Sequence, residues 1–196
     1  MNEFSFCPHC KSEKIQYVDG KKWLCPNCGF DLYNNVASAV GAIIFDSEGN
    51  ILLEVRAKEP KKGYLALPGG FCNYDESAEE AVVRECKEET GLSIANISYL
   101  CSFPNDYEYK GIAYKTCDLF FTAPLPKESG TIDTLIHSLS EQKSEVISLK
   151  AHKVNSNDDI NALPLAFESA HKALSFWLKK RTTLAMDGLA QSQNKK

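Results

Sequence analysis

The sequence predicts an α/β fold: one α/β domain behind a small, cysteine-stapled amino-terminal module. Three observations predict it. Residues 1–34 hold four of the eight cysteines, in two tight pairs. From Val36 onward, apolar β-branched runs of strand length alternate with turn chemistry and with segments of helical period. The segment between Ser77 and Gly91 carries both a start and a stop signal for a helix.

The pairs "CPHC" (Cys7 and Cys10) and "CPNC" (Cys25 and Cys28) come first. Each suits a tight knuckle, and four sulfurs at this spacing close a tetrahedron around zinc. A site filled by four sulfurs keeps no open position for a substrate, so the zinc is read as structural, holding a module too small to fold on its own core. Lys11, Lys14, Lys21 and Lys22 beside Trp23 would suit RNA, but lysines on a small module more often serve solubility, so nucleic acid is not the favoured partner. The isolated Cys72, Cys86, Cys101 and Cys117 read as buried thiols.

In the larger part, "VASAVGAIIF" and "ILLEVRA" read as strands joined into a hairpin by the turn "DSEGN". "KEPKKGYLALPGG" is a Pro- and Gly-punctuated loop. The next segment is a helix: Ser77 and Glu80 have capping-box spacing, and Gly91 is placed to end it. "ISYLCSF", "KTCDLFFTA" and "EVISLKAH" read as further strands. Lys127 to Ser144 is polar and expected to be irregular, with a short helix around Thr134 to Leu139. Pro164 to Arg181 reads as an amphipathic helix with Leu165, Ala166, Ala170, Ala173, Leu174, Trp177 and Leu178 inward. The expected organisation is 1–34, 35–181, and a disordered tail over 182–196 with little to bury.

Composition narrows the function. The net charge of −4 argues against broad phosphate-backbone binding, and an anionic substrate would require a recruited cation. No apolar run reaches the roughly 18 residues of a membrane span, so no membrane partner is expected. The start "MNEFSFCPHC" lacks the basic and apolar regions of a signal peptide, so a cytoplasmic location is expected, where cysteines stay reduced.

The helix after Ser77 holds an electrostatic problem. Ala78, Ala81, Val82, Glu85 and Glu89 share one face, with Glu88 at its edge. Carboxylates turned toward a partly buried region are costly unless paired, and Arg84 alone cannot neutralise three. A hard divalent cation, magnesium or manganese, can. Gly69-Gly70 lets bare backbone approach such a ligand, and a carbonyl there is a further candidate donor. A solvated acidic face with Glu80–Arg84 and Arg84–Glu88 pairs is the alternative, and the inward placement weighs against it.

The spacing Gly70-x5-Glu76-x7-Arg84-Glu85-Cys86-x-Glu88-Glu89-x-Gly91-Leu92 resembles the Nudix box, G-x5-E-x7-R-E-U-x-E-E-x-G-U with U apolar. The thiol of Cys86 is a mild departure at an apolar position. "RAKEPKKGYLALPGGF" is similar to the usual approach to the box, and the resemblance spans Val36 to Arg181. It implies an α/β/α sandwich around a mixed sheet. It implies magnesium ligation by Glu85 and Glu89, with Glu88 as a further or water-mediated ligand and the Gly69 carbonyl contributing. Arg84 would orient Glu85, and Glu76 would support that network. The implied reaction is attack by water on the diphosphate of a nucleoside diphosphate joined to another group. Two candidates for the base follow: Glu85, and Glu145, which stands where some members place an additional glutamate and which otherwise is an ordinary charge at a strand start.

A zinc ribbon directly before such a domain is similar to the NADH pyrophosphatase group, with ADP-ribose pyrophosphatases as the neighbouring group. That group's S-Q-P-W-P-F-P signature is replaced here by "SFPNDYEYKG", in which only Ser102, Pro104 and Tyr107 correspond. Arg56, Tyr107 and Tyr109 are the candidate substrate-binding residues; the tyrosines, with Tyr114, suit stacking on a nucleobase or packing of a hairpin. NAD(H) and ADP-ribose are the first expected substrates. The alternatives are a nucleotide-capped RNA 5′ end, or a zinc-ribbon sensor or nucleic-acid-binding module. A homodimer would be in keeping with the family.

Overall fold

The computed structural model describes residues 4–125, 130–139 and 144–193, the last ten of these by backbone alone. It divides into two compact units: residues up to Ala37 together with Asp106–Thr116, and Ser38–Asn105 together with the chain from Cys117.

In the first unit, β1 (Gln16–Val18), β2 (Lys22–Leu24) and β3 (Asp31–Tyr33) form an antiparallel sheet in that order. Asp19 and Gly20 both take positive φ, the turn that matches the twist of a tight hairpin. The core is essentially Trp23, buried, with the rings of Phe4 and Tyr17 each centred 5.0 Å away. Trp23 is thus not offered to a base, and Lys22 is paired with Asp31 at 2.6 Å. A core this small is of the kind that a metal staple would stabilise.

The larger sheet comprises β4 (Ala37–Phe45), β5 (Asn50–Arg56), β6 (Leu65–Ala66), β7 (Ser98–Tyr109), β8 (Ile112–Pro124) and β9 (Val146–Lys153), of which all but Ala37 and Asp106–Thr116 lies in the second unit. The order is β6-β5-β4-β8-β7, with β9 also on β5. Pairs β4–β5 and β5–β9 are antiparallel. The N–H of Leu125 donates to the Phe45 carbonyl at 2.8 Å, which joins the carboxyl ends of β8 and β4 as in a parallel pair and makes the sheet mixed. The helices are α1 (Ala78–Thr90), α2 (Ile132–Leu135), α3 (Asn157–Asn161) and α4 (Glu168–Gln193).

Strand alternation divides the core in two. Ile43, Ile51, Leu53 and Phe120 pack with Ala170, Ala173, Leu174 and Trp177 of α4. Ala42, Ile44, Leu52 and Phe121 pack with Ala81, Val82 and Cys86 of α1. The result is a sheet between helical layers, as the sequence led us to expect. No helix among the described residues is long and apolar enough to cross a membrane.

Four local expectations change. The loop before α1 is not free: β6 pairs with β5, and Pro68 and Gly70 accept hydrogen bonds from Ala42 and Val40 of β4. The loop is thus inserted where β4 and β5 part. The last helix starts at Glu168, not Pro164, because the backbone from Pro164 to Ala166 bonds to Leu65 instead. It also continues beyond Arg181 to Gln193, where a disordered tail was expected, through a sequence in which Leu184, Ala185, Met186, Leu189 and Ala190 favour helix. Residues 98–124 form one long hairpin, so "SFPNDYEYKG" is strand up to a turn at Lys110-Gly111, and Pro104 is tolerated because β7 is an edge strand. The expected irregular stretch from Lys127 to Ser144 lies partly outside the described residues; within it, α2 and a following 3-10 turn to Ser138 stand near the short helix expected there.

Candidate functional site

Helix α1 begins with a complete capping box between Ser77 and Glu80 and ends at Gly91 in the left-handed conformation. These signals fix its phase, and the phase turns Glu89 inward with Ala81, Val82 and Cys86. The buried carboxylate of Glu89 accepts the backbone N–H of Gly69 at 2.7 Å. Glu85 lies against the next residue of the loop: a Cβ on Gly70 would stand 2.7 Å from Glu85 Oε1. The two glycines therefore serve different purposes. Gly70 leaves room for a carboxylate. Gly69, at φ 149°, passes so close to β4 that a Cβ would lie 2.1 Å from the Val40 carbonyl oxygen.

Arg84 organises the outer side. Its Nε and Nη2 donate to Glu76 at 2.9 and 2.6 Å, a bidentate pair. Nη1 donates to Glu85 at 2.8 Å and to Glu88 at 3.1 Å, and Nη2 to the Phe71 carbonyl at 3.2 Å. Hydrogen bonds from Arg84, and then from the Asn73 N–H, hold the Glu76 carboxyl down at about 2. The reverse holds deeper in. Burial, opposed by the Gly69 N–H and assisted by the charge of Glu85, pushes the Glu89 carboxyl up to about 8. Burial also raises Glu85, although Arg84 pulls it back. Arg84 is thus spread over three carboxylates, and the inner one, Glu89, takes its hydrogen bond from the Gly69 backbone instead. The donor set is carboxylate oxygen beside a close backbone loop, which fits a hard divalent cation.

Glu145 stands at the head of β9, its carbonyl accepting from the Ala57 N–H at 2.7 Å and its carboxylate paired with Lys58 at 2.6 Å. Its charge contributes to raising both Glu85 and Glu89, so it is electrostatically part of their surroundings. Arg56 is held by the Pro60 carbonyl at 3.0 Å and lies over the Phe167 ring. Tyr107 and Tyr109 belong to the ribbon's unit, where Tyr109 is exposed with the Lys110 ammonium 5.1 Å from its ring centre.

Sequence reasoning missed Glu54. It lies on β5, on the face that Leu52 turns toward α1, and is 2% exposed. Burial first, then the Glu89 charge, push its carboxyl well above the usual range. The signal was present in "ILLEVRA", where strict alternation puts Glu54 on the same face as Leu52.

In the ribbon, the four expected cysteines converge. Cys7 and Cys28, and Cys10 and Cys25, have sulfurs 3.7 Å apart, and all four sulfurs lie within 4.8 Å of one another. The edge of a tetrahedron with zinc–sulfur bonds of about 2.3 Å is about 3.8 Å, so the cage fits zinc. The knuckles close through Lys11 N–H to Cys7 O and Gly29 N–H to Cys25 O, both 2.8 Å. The Asn27 amide donates to Cys10 Sγ at 3.5 Å, and this bond leads in lowering that thiol to about 6, while Cys28, against its backbone hydrogen bond with Phe30, is pushed the other way by burial and the neighbouring thiols.

Comparison with known proteins agrees with this geometry. The family model described as the NUDIX domain matches residues 36–175. The chain is 54% identical over 63 residues to an ADP-ribose pyrophosphatase of Methanocaldococcus jannaschii, covering 32% of this chain and 37% of that one. It is 31% identical over 160 residues to the NAD-capped RNA hydrolase NudC of Haemophilus influenzae, covering 69% and 60%. It is 38% identical over 104 residues to the mitochondrial NAD(P)H pyrophosphatase NUDT13 of Mus musculus, covering 51% and 29%. The chain thus spans less than two thirds of the length of these curated relatives. Among solved structures, a NUDIX hydrolase of Nitrosomonas europaea superposes with a TM-score of 0.60 at 23% identity, covering 91% of this chain and 92% of that one. A MutT NUDIX hydrolase of Burkholderia pseudomallei gives 0.54 at 25% identity, covering 72% and 97%. The matched segment contains the sheet, α1 and the loop that meets its carboxylates, and on that ground the chain belongs to the Nudix family.

Proposed function

We propose that this chain is a magnesium- or manganese-dependent pyrophosphohydrolase that splits the diphosphate of a nucleoside diphosphate joined to another group, with NAD(H) and ADP-ribose as its first substrates. The observation that carries the reading is the convergence of Glu85 and Glu89 on the Gly69–Gly70 loop, with the buried carboxyl of Glu89 anchored by the Gly69 N–H. Glu85 and Glu89 would hold the cation, with Glu88 and the Gly69 carbonyl as further donors. When bound, the cation would neutralise the diphosphate and polarise phosphorus. Glu76 and Arg84 position Glu85 by a fixed chain of charge-assisted hydrogen bonds.

Water must lose a proton as it attacks, and Glu85 and Glu145 are the two candidates to accept it. Glu145 is favoured here, because Glu85 is engaged by Arg84 and is needed as a ligand, whereas the Lys58 pairing of Glu145 is exposed and exchangeable. Arg56, Tyr107 and Tyr109 remain candidates for contacts to the organic part of the substrate, on their chemistry alone. The ribbon would carry structural zinc, in keeping with a reducing cytoplasm.

The test is a panel of nucleotide conjugates with magnesium, released mononucleotides being read by chromatography. Turnover of NAD(H) or ADP-ribose that falls at least about 100-fold in Glu89→Gln is the expected result. Wild-type turnover in that variant would overturn the reading. The likeness to a NAD-capped RNA hydrolase supports a second substrate of the same chemistry, so capped RNA belongs in the panel. Steep salt dependence with RNA alone would mark phosphate-backbone contacts.

A further inference from the structure

Glu54 is a buried carboxylate with one oxygen left unsatisfied among the described residues. It is 2% exposed, and its Oε2 has no hydrogen-bond partner. Its place is set by two pairings. β9 pairs Leu149 with it on one side, and β6 pairs Ala66 with it on the other, immediately before the Pro68–Gly70 loop. Alternation of β5 turns the side chain to the α1 face, where its carboxyl meets that of Glu89. Glu89 cannot turn away, because Gly69 holds it.

Two ionised carboxylates in contact repel, and neither supplies a donor. An apolar residue on this strand face would pack as Leu52 does. A glutamate there, with one oxygen unsatisfied, is explained by something positive between it and Glu89. Arg84 is already engaged by Glu76, Glu85 and Glu88, and Arg56 is held by the Pro60 carbonyl and lies over Phe167.

We propose that Glu54 is a ligand of the divalent cation, reaching it from β5 beneath α1 and sharing it with Glu89. The proposal rests on the reading of α1 as a cation-binding helix. It adds a donor that lies outside the helix and loop of the box. The cation site is then closed from the sheet side, with the open side left to solvent-facing donors and substrate.

The test is manganese binding to the full-length, zinc-loaded chain, followed through the electron paramagnetic resonance signal of free Mn2+. Wild type is compared with Glu54→Gln, Glu54→Leu and Glu89→Gln. Both Glu54 variants should bind Mn2+ at least tenfold more weakly, about 1.4 kcal/mol. Their melting temperatures without added Mn2+ should equal or exceed that of wild type, since an unpaired buried carboxyl has been removed. The apolar Leu variant carries the comparison should Gln be poorly tolerated. Wild-type Mn2+ affinity in the Glu54 variants, with binding lost in Glu89→Gln, would overturn this inference and leave the proposed function standing. Unchanged affinity in all three variants would overturn both.

Discussion

The backbone N–H of Gly69 and the carboxylate of Glu89 meet at 2.7 Å, tying the last turn of α1 to a loop inserted between β4 and β5. Any side chain at position 69 breaks this arrangement, since a Cβ would stand 2.1 Å from the Val40 carbonyl oxygen at a φ of 149°. Gly69→Ala is expected to cost about 2–4 kcal/mol in urea denaturation, the size of backbone strain plus overpacking. It should also weaken magnesium binding, because Glu89 loses its anchor. Wild-type stability would show that the loop is free to move away from β4.

The buried carboxyl of Glu89 makes stability depend on pH. Its value of about 8 lies above the ordinary 4.5, so between those limits the folded chain holds a proton that the unfolded chain releases. Stability is greatest below about pH 4.5 as far as this group is concerned, and falls as pH rises toward 8. The zinc-loaded chain without added magnesium should therefore melt at progressively lower temperature across that window. Saturating magnesium should flatten the curve, because a cation favours the ionised form. A flat profile without magnesium would contradict the burial of Glu89.

Glu76 has the opposite sign. Arg84 first, and the Asn73 N–H second, hold it at about 2, so its contribution is present above the ordinary carboxylate value and is lost as pH falls toward 2. Arg84→Lys removes the bidentate geometry while keeping a charge. The Glu76 carboxyl should then titrate closer to 4.5 in carbon NMR, and turnover should fall about tenfold or more, as for a lost charge-assisted hydrogen bond. Unchanged titration of Glu76 would assign its shift to something other than Arg84.

Cys25→Ser tests the ribbon. Cys25 is buried and contributes one vertex of the sulfur tetrahedron. The variant should lose stoichiometric zinc in a colorimetric chelator assay and lose ordered signals from β1 to β3. Structural zinc is worth about 10 kcal/mol or more to a small module, whereas the Nudix sheet has its own core. Magnesium binding by the α1 carboxylates should persist. Retention of one zinc per chain would refute the four-sulfur site.

What the sequence determined by itself is local. Ser77, Glu80 and Gly91 bound α1 through caps, the 3.6-residue period sets which glutamates turn inward, and the spacing of Cys7, Cys10, Cys25 and Cys28 identifies a four-sulfur cage. These signals act within one or two turns of chain, so they can be read without a partner. The tertiary structure alone decided what pairs at a distance. It placed the Gly69 loop between two strands, moved the start of α4 to Glu168 because Pro164 and Ala166 bond to Leu65, and grouped Asp106–Thr116 with the ribbon. It also set Glu54 against Glu89. That contact depends on strand register, which arises from hydrogen bonds between segments far apart in sequence, and alternation along β5 shows only which face Glu54 occupies, not what waits there.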